Sequence, residues 1–548
     1  MIQLSQDPEV AEQQVEAVLF YLTTCGYIDD DFDLTEKSFI RSILRKIVTA
    51  RVDAQGPIDA ELRFEQIESQ HEHYLEVFQA IDYEVRSMMS EVVADGEDSK
   101  HFVLTKLKLR CFELFRQLTP EGRAALLEVV DEFIGADGVV HPAEVDFRND
   151  LASLLGQPEI AEPEVEAGER VEIAKPIDLP SASVDHPFFT GFEHNYSPDP
   201  EVIRAQLAVD VAVLDQAEAK WDEQRRAGAG RLRGKARVQD LAGEEFLDEH
   251  TYAVPRDGRD YELIVLGDLH GCYSCLKAAI MQSQFMDKVK AYRANPGANP
   301  DVRLILLGDY IDRGRFSLNG VLRGVLKLFV AVPEHVFVLR GNHEYYIEYE
   351  GRIYGGVKPS DAISSLQPLV PDEVFHRYLT FFERMPNVLL YDNLMFVHGG
   401  IPRDSLLAQK WQDLSSLNDP EMRFQMLWSD PSRADTVPTE LQAASARFAF
   451  GRLQFRAFMG RIGCNLLVRG HEKVNAGFRD HYPKDDIRLL TLFSAGGVAN
   501  EDLPPDSNYR DVRPMALTIT RSGGETKVTP WPIDYRAYQG PERNAFFR

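Results

Sequence analysis

The chain has 548 residues, of which 44% are hydrophobic and 27% are charged, and its formal net charge is −27 at pH 7. This length predicts about three or four domains, and the composition is typical of a globular protein. The acidic balance argues against general binding to nucleic acid, which requires a basic surface. We expect neither a signal peptide nor a membrane span, because the start lacks the necessary pattern and no run of about 18 apolar residues occurs.

The five cysteines predict a reducing compartment. They are sparse and odd in number, which does not suit a disulfide framework, so we expect a cytoplasmic protein. The cysteines are Cys25, Cys111, Cys272, Cys275 and Cys464. We interpret the single CxxC formed by Cys272 and Cys275 as packing at the start of a helix rather than as a zinc or redox site.

Residues 1–155 are predicted to form an all-α domain. Apolar residues recur at spacings of three and four in "EQQVEAVLFYLTTCGYI" and in "RAALLEVVDEFIGADGVV". Two segments, beginning at Asp29 and Asp137, each contain an acidic turn and then a helix that opens with a Glu. This pattern indicates either a helix cap or a weak cation site.

The second of these segments, "GADGVVHPAE", resembles the acidic turn of the tellurite-resistance TerB-like helical domains. The resemblance implies a TerB-like domain over residues 1–155. One hypothesis is that this domain binds a protein partner and thereby regulates or targets the rest of the chain.

The remainder of the chain divides into three predicted regions. Residues 156–198 are rich in Pro and acidic residues and indicate an extended linker. Residues 199–260 form a connector with a helix from about Asp199 to Arg226, followed by "RRAGAGRLRGKAR", which we interpret as a solvated loop rather than an RNA contact. In residues 261–548, strands alternate with helical stretches, which predicts a layered α/β domain.

In this last region, five apolar strands run directly into polar residues. The segments are "YELIVLGDLHG", "VRLILLGDYIDRG", "HVFVLRGNHE", "NLMFVHGG" and "NLLVRGHE". Because ligands bind at the carboxyl ends of strands in open α/β sheets, we expect these residues to meet along one edge. The residues are Asp268, His270, Asp309, Asn342, His343, His398 and His471.

Such a set of side chains can ligate metal. Oxygen and imidazole ligands together suit manganese, iron or zinc better than calcium or magnesium. Six of these side chains, all except His343, can hold two ions if one carboxylate bridges. Two-metal sites with ions about 4 Å apart activate water for in-line attack on phosphorus. We therefore predict two divalent ions, with manganese as the first choice and iron or zinc as alternatives.

The other polar residues near Asp309 and Asn342 are predicted to bind phosphate and to donate a proton. Arg313 can form paired hydrogen bonds with phosphate oxygens and offset charge in the transition state. His343 follows the predicted ligand Asn342 and can protonate a leaving oxygen, with Asp312 holding its other nitrogen.

The motifs "GDLHG", "GDYIDRG", "LRGNHE", "HGG" and "RGHE", in this order, resemble the signature of the phosphoprotein phosphatase family, within the calcineurin-like metallophosphoesterases. The resemblance covers about residues 261–533 and implies a β-sandwich flanked by helices. It implies one metal held by Asp268, His270 and Asp309, and a second held by Asp309, Asn342, His398 and His471. It also implies that Arg313 binds phosphate and that His343 with Asp312 is the general-acid pair.

Two positions depart from the pattern of that family. "LWSDP" is similar to the stretch before its second substrate arginine, but aligning "FAFG" at Phe448 places Ala444 where that arginine is expected. Arg447, three residues on, is the candidate replacement. The tyrosine of the family's "SAPNY" is missing from "FSAGGVAN", which begins at Phe493.

These observations predict a metal-dependent phosphatase that acts on phosphoserine or phosphothreonine in proteins. One alternative is a hydrolase of dinucleoside polyphosphates or of other small phosphate esters. Another is an inert phosphatase-fold scaffold whose helical domain binds a partner. We expect no nucleic-acid or membrane partner.

Overall fold

The two kinds of hydrophobic periodicity in the sequence produce two units, one helical and one built on sheets. The computed structural model describes residues 7–28, 32, 34–57, 59–89, 99–136, 140–157, 161–163, 165, 169–181, 185–444 and 447–548. The helical unit comprises residues 1–161 and 432–446, and the sheet unit comprises 162–431 and 447–548. None of the described helices combines the length and apolar character that a bilayer crossing requires.

The α-helices of both units, in chain order, are α1 (Pro8–Ile28), α2 (Leu34–Asp53), α3 (Ala60–Met89), α4 (Ser99–Arg116), α5 (Pro120–Ile134), α6 (Pro142–Leu155), α7 (Pro187–Thr190), α8 (Pro200–Gly228), α9 (Tyr273–Gln282), α10 (Phe285–Ala294), α11 (Arg323–Ala331), α12 (Asp361–Ser364), α13 (Glu373–Arg384), α14 (Asp404–Lys410), α15 (Pro420–Trp428), α16 (Thr439–Ala444) and α17 (Arg452–Ile462).

The strands, all in the sheet unit, are β1 (Val171–Ile173), β2 (Phe246–Asp248), β3 (Thr251–Val254), β4 (Tyr261–Leu266), β5 (Asp301–Leu306), β6 (Val336–Val338), β7 (Tyr346–Tyr349), β8 (Arg352–Gly355), β9 (Val388–Tyr391), β10 (Leu394–Val397), β11 (Leu466–Arg469), β12 (Phe478–Asp480), β13 (Arg488–Leu492), β14 (Met515–Ser522) and β15 (Glu525–Pro532).

The helical unit is organised around α1. Every residue from Ala17 to Gly26 of this helix is buried, as expected for a helix that is apolar on most of its faces. Helices α3 and α4 pack against it. The apolar spacing that predicts helices thus also supplies the core of this unit.

The start of α6 carries the helix cap that the sequence indicates. The backbone N–H of His141 donates to the Glu144 carboxylate over 3.3 Å, and the N–H of Ala143 donates to Nδ1 of His141 over 3.3 Å. These two bonds form a capping box, which satisfies backbone donors at the helix end. Asp29 and Asp137, which open the two acidic turns proposed as weak cation sites, lie outside the described residues.

Residues 432–446 belong to the helical unit although both flanking segments belong to the sheet unit. The Ser432 hydroxyl donates to the Glu113 carboxylate over 2.6 Å, and the N–H of Arg433 donates to the same oxygen over 2.9 Å. Val437 and Leu441 are buried. This excursion of the chain is not predicted by the sequence analysis.

The described residues of the sheet unit form two large sheets and one hairpin. The first sheet has the strand order β1-β15-β14-β4-β5-β6, the second has the order β12-β13-β11-β10-β9-β3-β2, and β7 pairs with β8. Side chains of both large sheets enter one hydrophobic cluster, including Val265 of β4, Phe396 of β10 and Val468 of β11. Central strands such as β5 are buried along their whole length, which explains their continuous apolar sequence.

The predicted linker and connector both contribute structure to the sheet unit. Within the linker, β1 pairs in parallel with β15, with Val171 opposite Thr526. Within the connector, Trp221 of α8 is fully buried, and its ring lies 5.4 Å from that of Phe329 and 5.3 Å from that of Phe381. All five cysteines are buried free thiols.

Candidate metal centre

Parallel strands in each large sheet end beside one another and lead into the predicted ligands. Strands β4, β5 and β6 are parallel neighbours in the first sheet, and β10 and β11 are parallel neighbours in the second. The carboxyl ends within each sheet therefore lie at the same edge, where polar residues can converge. The side chains that follow these strands are all buried, and they are Asp268, His270, Asp309, Asn342, His343, His398 and His471.

Asp309 lies at the centre of this cluster. Its Oδ2 is 3.5 Å from Nε2 of His270, and its Oδ1 is 3.3 Å from Nε2 of His398. Asp268 lies beside both histidines, with its Oδ2 3.8 Å from Nε2 of His270. Ligand atoms of Asp268, Asp309 and His398 lie within 4.8 Å of one another. A carboxylate that turns one oxygen toward each of two histidines has the arrangement that a bridging ligand needs.

Asn342 and His471 extend the cluster on the His398 side. The Asn342 Oδ1 lies 2.8 Å from Nε2 of His398 and 3.0 Å from Nδ1 of His471. The two imidazole rings are 5.1 Å apart. An amide oxygen, two imidazoles and the Asp309 carboxylate therefore converge on this side.

Backbone carbonyls fix the orientation of two of the histidine rings. Nδ1 of His270 donates to the carbonyl of Ile311, and Nδ1 of His398 donates to the carbonyl of Leu307, each over 3.1 Å. Because a carbonyl only accepts, Nδ1 carries the hydrogen, and in a neutral ring Nε2 presents its lone pair to the carboxylates. His270 is thus set to bind metal through Nε2. Burial opposes protonation of His398, but Asp309 outweighs it and raises the pKa of that ring, so a metal ion bound there would displace the Nε2 proton.

Glu344 holds the turn that carries Asp309, and the sequence analysis did not assign it a role. Its buried carboxylate accepts N–H bonds from Asp309 and Tyr310, each over 2.8 Å, and from Gly341 over 2.9 Å. Burial, with the nearby Asp309, raises the pKa of Glu344 to about 7. The signal for this positioning residue was the final letter of "LRGNHE".

Five residues around the site hold a left-handed backbone conformation, which costs a non-glycine residue on the order of 1–3 kcal/mol. Such conformations persist where surrounding contacts impose them, and they cluster at functional sites. The residues are His270, Asp309, Asp312, Arg313 and His471, with φ angles of 41°, 53°, 66°, 65° and 71°.

Two glycines permit the backbone to approach the ligand carboxylates. A Cβ atom on Gly470 would lie 2.1 Å from Oδ1 of Asp268, and one on Gly341 would lie 2.2 Å from Oδ1 of Asp309. Neither contact is sterically possible without displacing a carboxylate. These positions therefore require glycine if both ligands are to keep their places.

The electrostatics of the cluster fit a bound cation. Burial and the proximity of Asp309 raise the pKa of Asp268 to about 7. Burial opposes ionisation of Asp309 as well, but His398 and His343 hold its pKa well below the usual range. Burial and His343 lower the pKa of His270 to about 3, so this imidazole is neutral. Two buried carboxylates that repel each other beside nitrogen donors form a set that a divalent ion would stabilise.

His343 lies against the cluster but is held from the other side by Asp312. Its Nδ1 is 2.8 Å from Oδ2 of Asp312, while its Nε2 is 3.9 Å from Oδ2 of Asp309. The other Asp312 oxygen accepts the N–H of Ala362 over 2.8 Å. Burial opposes protonation of His343, but Asp309 and Asp312 outweigh it and raise its pKa. His343 is thus an imidazole with a raised pKa, oriented by a carboxylate, beside the candidate ligands.

The two predicted substrate arginines lie on connections rather than at strand ends. The Arg313 guanidinium donates to the carbonyls of Pro359 and Lys358 over 3.0 and 3.1 Å. The Arg447 guanidinium contacts Nε2 of His471 and lies 5.7 Å from the Trp428 ring. Arg447 therefore reaches the candidate metal centre.

Residues 261–475 match the family model described as "Calcineurin-like phosphoesterase". The matched range contains all six predicted metal ligands, both members of the acid pair and both arginines. It does not include residues 1–155, where the resemblance to TerB-like domains stays a prediction.

Among curated proteins, the chain is 29% identical over 238 residues to a probable serine/threonine-protein phosphatase of Encephalitozoon cuniculi, covering 43% of this chain and 47% of that protein. It is 29% identical over 257 residues to serine/threonine-protein phosphatase PP1-1 of Saccharomyces cerevisiae, covering 44% and 75%. The chain thus spans about half the length of the first relative. A solved serine/threonine phosphatase from Saccharomyces cerevisiae, with similarity to human phosphatase PP5, is 19% identical, with a TM-score of 0.36 and coverage of 60% of this chain and 90% of that one.

Tyr509 is a site residue that the sequence analysis missed. Its hydroxyl lies 3.5 Å from Nε2 of His270, and the two rings are 5.1 Å apart. Tyr509 comes from later in the chain than the tyrosine expected soon after Phe493, and the rings of Phe493 and Tyr509 are 5.2 Å apart. The letters "SNY" at 507–509, which partly repeat the expected motif, were the available signal.

Proposed function

We propose that the sheet unit is a metal-dependent phosphatase that hydrolyses phosphoserine or phosphothreonine in proteins. The observation that carries this proposal is the position of Asp309, with one oxygen toward His270 and the other toward His398. The names of the curated relatives favour this substrate class over dinucleoside polyphosphates. The presence of the whole predicted ligand set argues against an inert scaffold.

The proposed cofactors are two divalent ions, with manganese as the first choice and iron or zinc as alternatives. One set of ligands would be Asp268, His270 and Asp309, and the other would be Asp309, Asn342, His398 and His471. Bound there, the ions would activate water and neutralise phosphate charge.

Two arginines would orient the phosphoryl group. In our proposal, Arg313 exchanges its hydrogen bonds with the Lys358 and Pro359 carbonyls for bonds with phosphoryl oxygens. Arg447, which contacts His471, supplies a second guanidinium in place of the arginine expected at Ala444. Paired N–H donors of this kind hold phosphate in a fixed orientation and offset its developing charge.

The leaving oxygen would receive its proton from His343. Asp312 fixes the ring through Nδ1, so the proton is delivered from Nε2, the nitrogen that faces Asp309. Both carboxylates raise the pKa of His343, which favours the protonated ring that a general acid needs.

The same proposal extends to the architecture. We propose that the two large sheets are the halves of a β-sandwich flanked by helices. Its main part is the predicted domain at 261–548, and the predicted linker and connector add β1, β2 and β3 to the sheets. We also propose a TerB-like domain with a protein partner at 1–155, a linker at 156–198, a connector at 199–260 and a cytoplasmic location.

Hydrolysis assays test the function directly. The full chain would be incubated with manganese and either p-nitrophenyl phosphate or a phosphothreonine peptide, beside an Asp309→Asn variant. We expect manganese-dependent turnover of both substrates that the variant abolishes. Cleavage of diadenosine tetraphosphate but not of the peptide would favour the small-ester alternative, and inactivity on all three would contradict the proposal.

A further inference from the structure

The excursion at 432–446 leaves the sheet unit and returns to it at almost the same point. The N–H of Asp430, just before the excursion, donates to the carbonyl of Arg447, just after it, over 3.0 Å. The N–H of Phe450 donates to the carbonyl of Asp430 over 3.1 Å. These backbone bonds join the two ends, so a shift of one end changes the position of the other.

Each end of the excursion carries a charged side chain to His471, a predicted metal ligand. Oδ1 of Asp430 lies 3.7 Å from Nε2 of His471 and accepts a hydrogen bond from Arg469 over 2.6 Å. The Arg447 guanidinium contacts the same Nε2. The backbone at these two ends therefore determines where Arg447 lies relative to the candidate ligands.

Glu113 of α4 holds the first residues of the excursion. Its carboxylate is buried, and one oxygen, Oε1, accepts both the Ser432 hydroxyl and the N–H of Arg433. The other oxygen lies 3.4 Å from the Arg110 guanidinium. A buried carboxylate is costly without such partners. Detachment of the excursion would remove two of the hydrogen bonds that satisfy Glu113.

Further contacts within the helical unit hold the rest of the excursion. Ala434, Val437 and Leu441 are buried, and α16 packs against α4. The side chain of Gln157 donates to the Glu440 carboxylate over 3.2 Å. The excursion is thus a fixed part of the helical unit, which restrains the backbone that leads to both ends.

Only short segments of chain separate the held part of the excursion from the site. Ser432 is two residues from Asp430, and two residues span at most about 7 Å. Arg447 follows Ala444, the end of α16, by three residues, which span at most about 11 Å. A displacement of the excursion is therefore transmitted to Arg447. An error of about 1 Å in placing a group that orients substrate is enough to weaken its contribution.

We infer that Glu113 is a positioning residue for Arg447. By holding Ser432 and Arg433, it fixes the excursion, and the excursion places the Arg447 guanidinium where it binds the phosphoryl oxygens of the substrate. This inference rests on the proposed function. It gives the helical unit a part in phosphate binding, because a change at α4 reaches the site through the chain itself.

Binding of inorganic phosphate to the manganese-loaded full chain tests the inference without turnover. Calorimetry would give Kd for the parent, Glu113→Ala, Arg447→Ala and the double variant. We expect Glu113→Ala to raise Kd about three- to tenfold, because Arg447 loses its fixed position. The double variant should bind no more weakly than Arg447→Ala alone, since both changes remove the same interaction.

Conservative and control variants separate positioning from a loss of folding. Glu113→Gln retains Oε1 as an acceptor and should keep Kd within about twofold of the parent. Asp131→Ala is the matched control, because it removes an ion pair with Arg148 in the same unit and should leave Kd unchanged. In hydrolysis of the phosphothreonine peptide, Glu113→Ala should raise KM with little change in kcat, whereas partial unfolding would lower kcat at constant KM.

The outcomes distinguish this inference from the proposed function. Weaker phosphate binding in Glu113→Ala that disappears in the Arg447→Ala background supports the inference even if no peptide is hydrolysed. An unchanged Kd in Glu113→Ala, or a loss that adds to that of Arg447→Ala, overturns it even if the parent hydrolyses the peptide. Normal phosphate binding by Arg447→Ala also overturns it and leaves Arg313 as the proposed phosphate-binding arginine.

Discussion

The candidate metal ligands lie at the ends of strands, whereas the groups expected to contact substrate lie on longer connections. The ligands follow directly from buried parallel strands, and Glu344 holds their central turn through backbone hydrogen bonds. Arg313, Arg447 and Tyr509 project from longer connections between elements. The comparison teaches that the sheet edges fix the geometry of the chemistry, whereas the connections are where recognition of a substrate can vary.

Among the strand-end residues that are not predicted metal ligands, His343 should have the largest effect on turnover. With His343→Gln we expect turnover of a phosphothreonine peptide to fall about 10²- to 10⁴-fold, because the leaving alkoxide lacks its proton donor. Hydrolysis of p-nitrophenyl phosphate should fall far less, since nitrophenolate leaves without a proton. An equal loss on both substrates, together with loss of bound manganese, would place His343 among the ligands instead.

Gly470→Ala tests how rigidly the sheet edge holds the ligands. The new Cβ would overlap Oδ1 of Asp268, which must move away. We expect about a hundredfold loss of manganese-dependent activity, because an error of about 1 Å in positioning can cost that much. Gly540→Ala is the control, since a Cβ there meets nothing within 4 Å. Full activity in Gly470→Ala would show that the sheet edge accommodates the new Cβ without displacing Asp268 from its functional position.

Arg447→Ala tests whether a residue on a connection between elements binds the substrate. If Arg447 binds the phosphoryl group, we expect KM to rise about tenfold with manganese content unchanged, as for the loss of one charged hydrogen bond. Arg447→Lys should recover only part of the loss, because an ammonium lacks the planar pair of donors. An unchanged KM in both variants would leave Arg313 as the proposed phosphate-binding arginine.

The last effect concerns the stability of the metal-free protein rather than its activity. The pKa of Asp268 is raised from 3.8 to about 7 in the folded state. The stability that this group contributes is therefore complete below pH 3.8 and is lost as the pH rises through about 7. Asp268→Asn has no such loss, so the variant should gain stability relative to the parent between pH 5 and pH 8. Urea unfolding in EDTA at both values measures this, and a difference that does not change with pH would contradict it.

Much of the site was predictable because its signals are local. A short apolar run that ends in Gly and a polar residue places that residue at a strand end, and the pattern occurs at β4, β5, β6, β10 and β11. The contact between Asp312 and His343 was predictable because a proton-donating histidine needs a carboxylate to hold its other ring nitrogen. Glu344 was missed because it acts on backbone N–H groups, which a side-chain pattern does not display.

The features that depend on long connections were not predictable in the same way. Tyr509 reaches His270 only because the segment after Phe493 folds back on the site. The excursion at 432–446 joins the helical unit through Glu113, which is distant in sequence. Strand β1 has three residues in a segment rich in Pro and acidic residues, too short to show alternation, and its pairing with β15 depends on the finished sheet.

The most direct test of the central claim, that Asp309 joins two metal positions, is the number of manganese ions bound per chain at saturation. We expect two ions in the full chain. With Asp309→Asn we expect one or none, because both positions lose a shared carboxylate. Two ions retained in the variant would contradict the bridging role of Asp309, and a single ion in the unmodified chain would contradict the two-metal account itself.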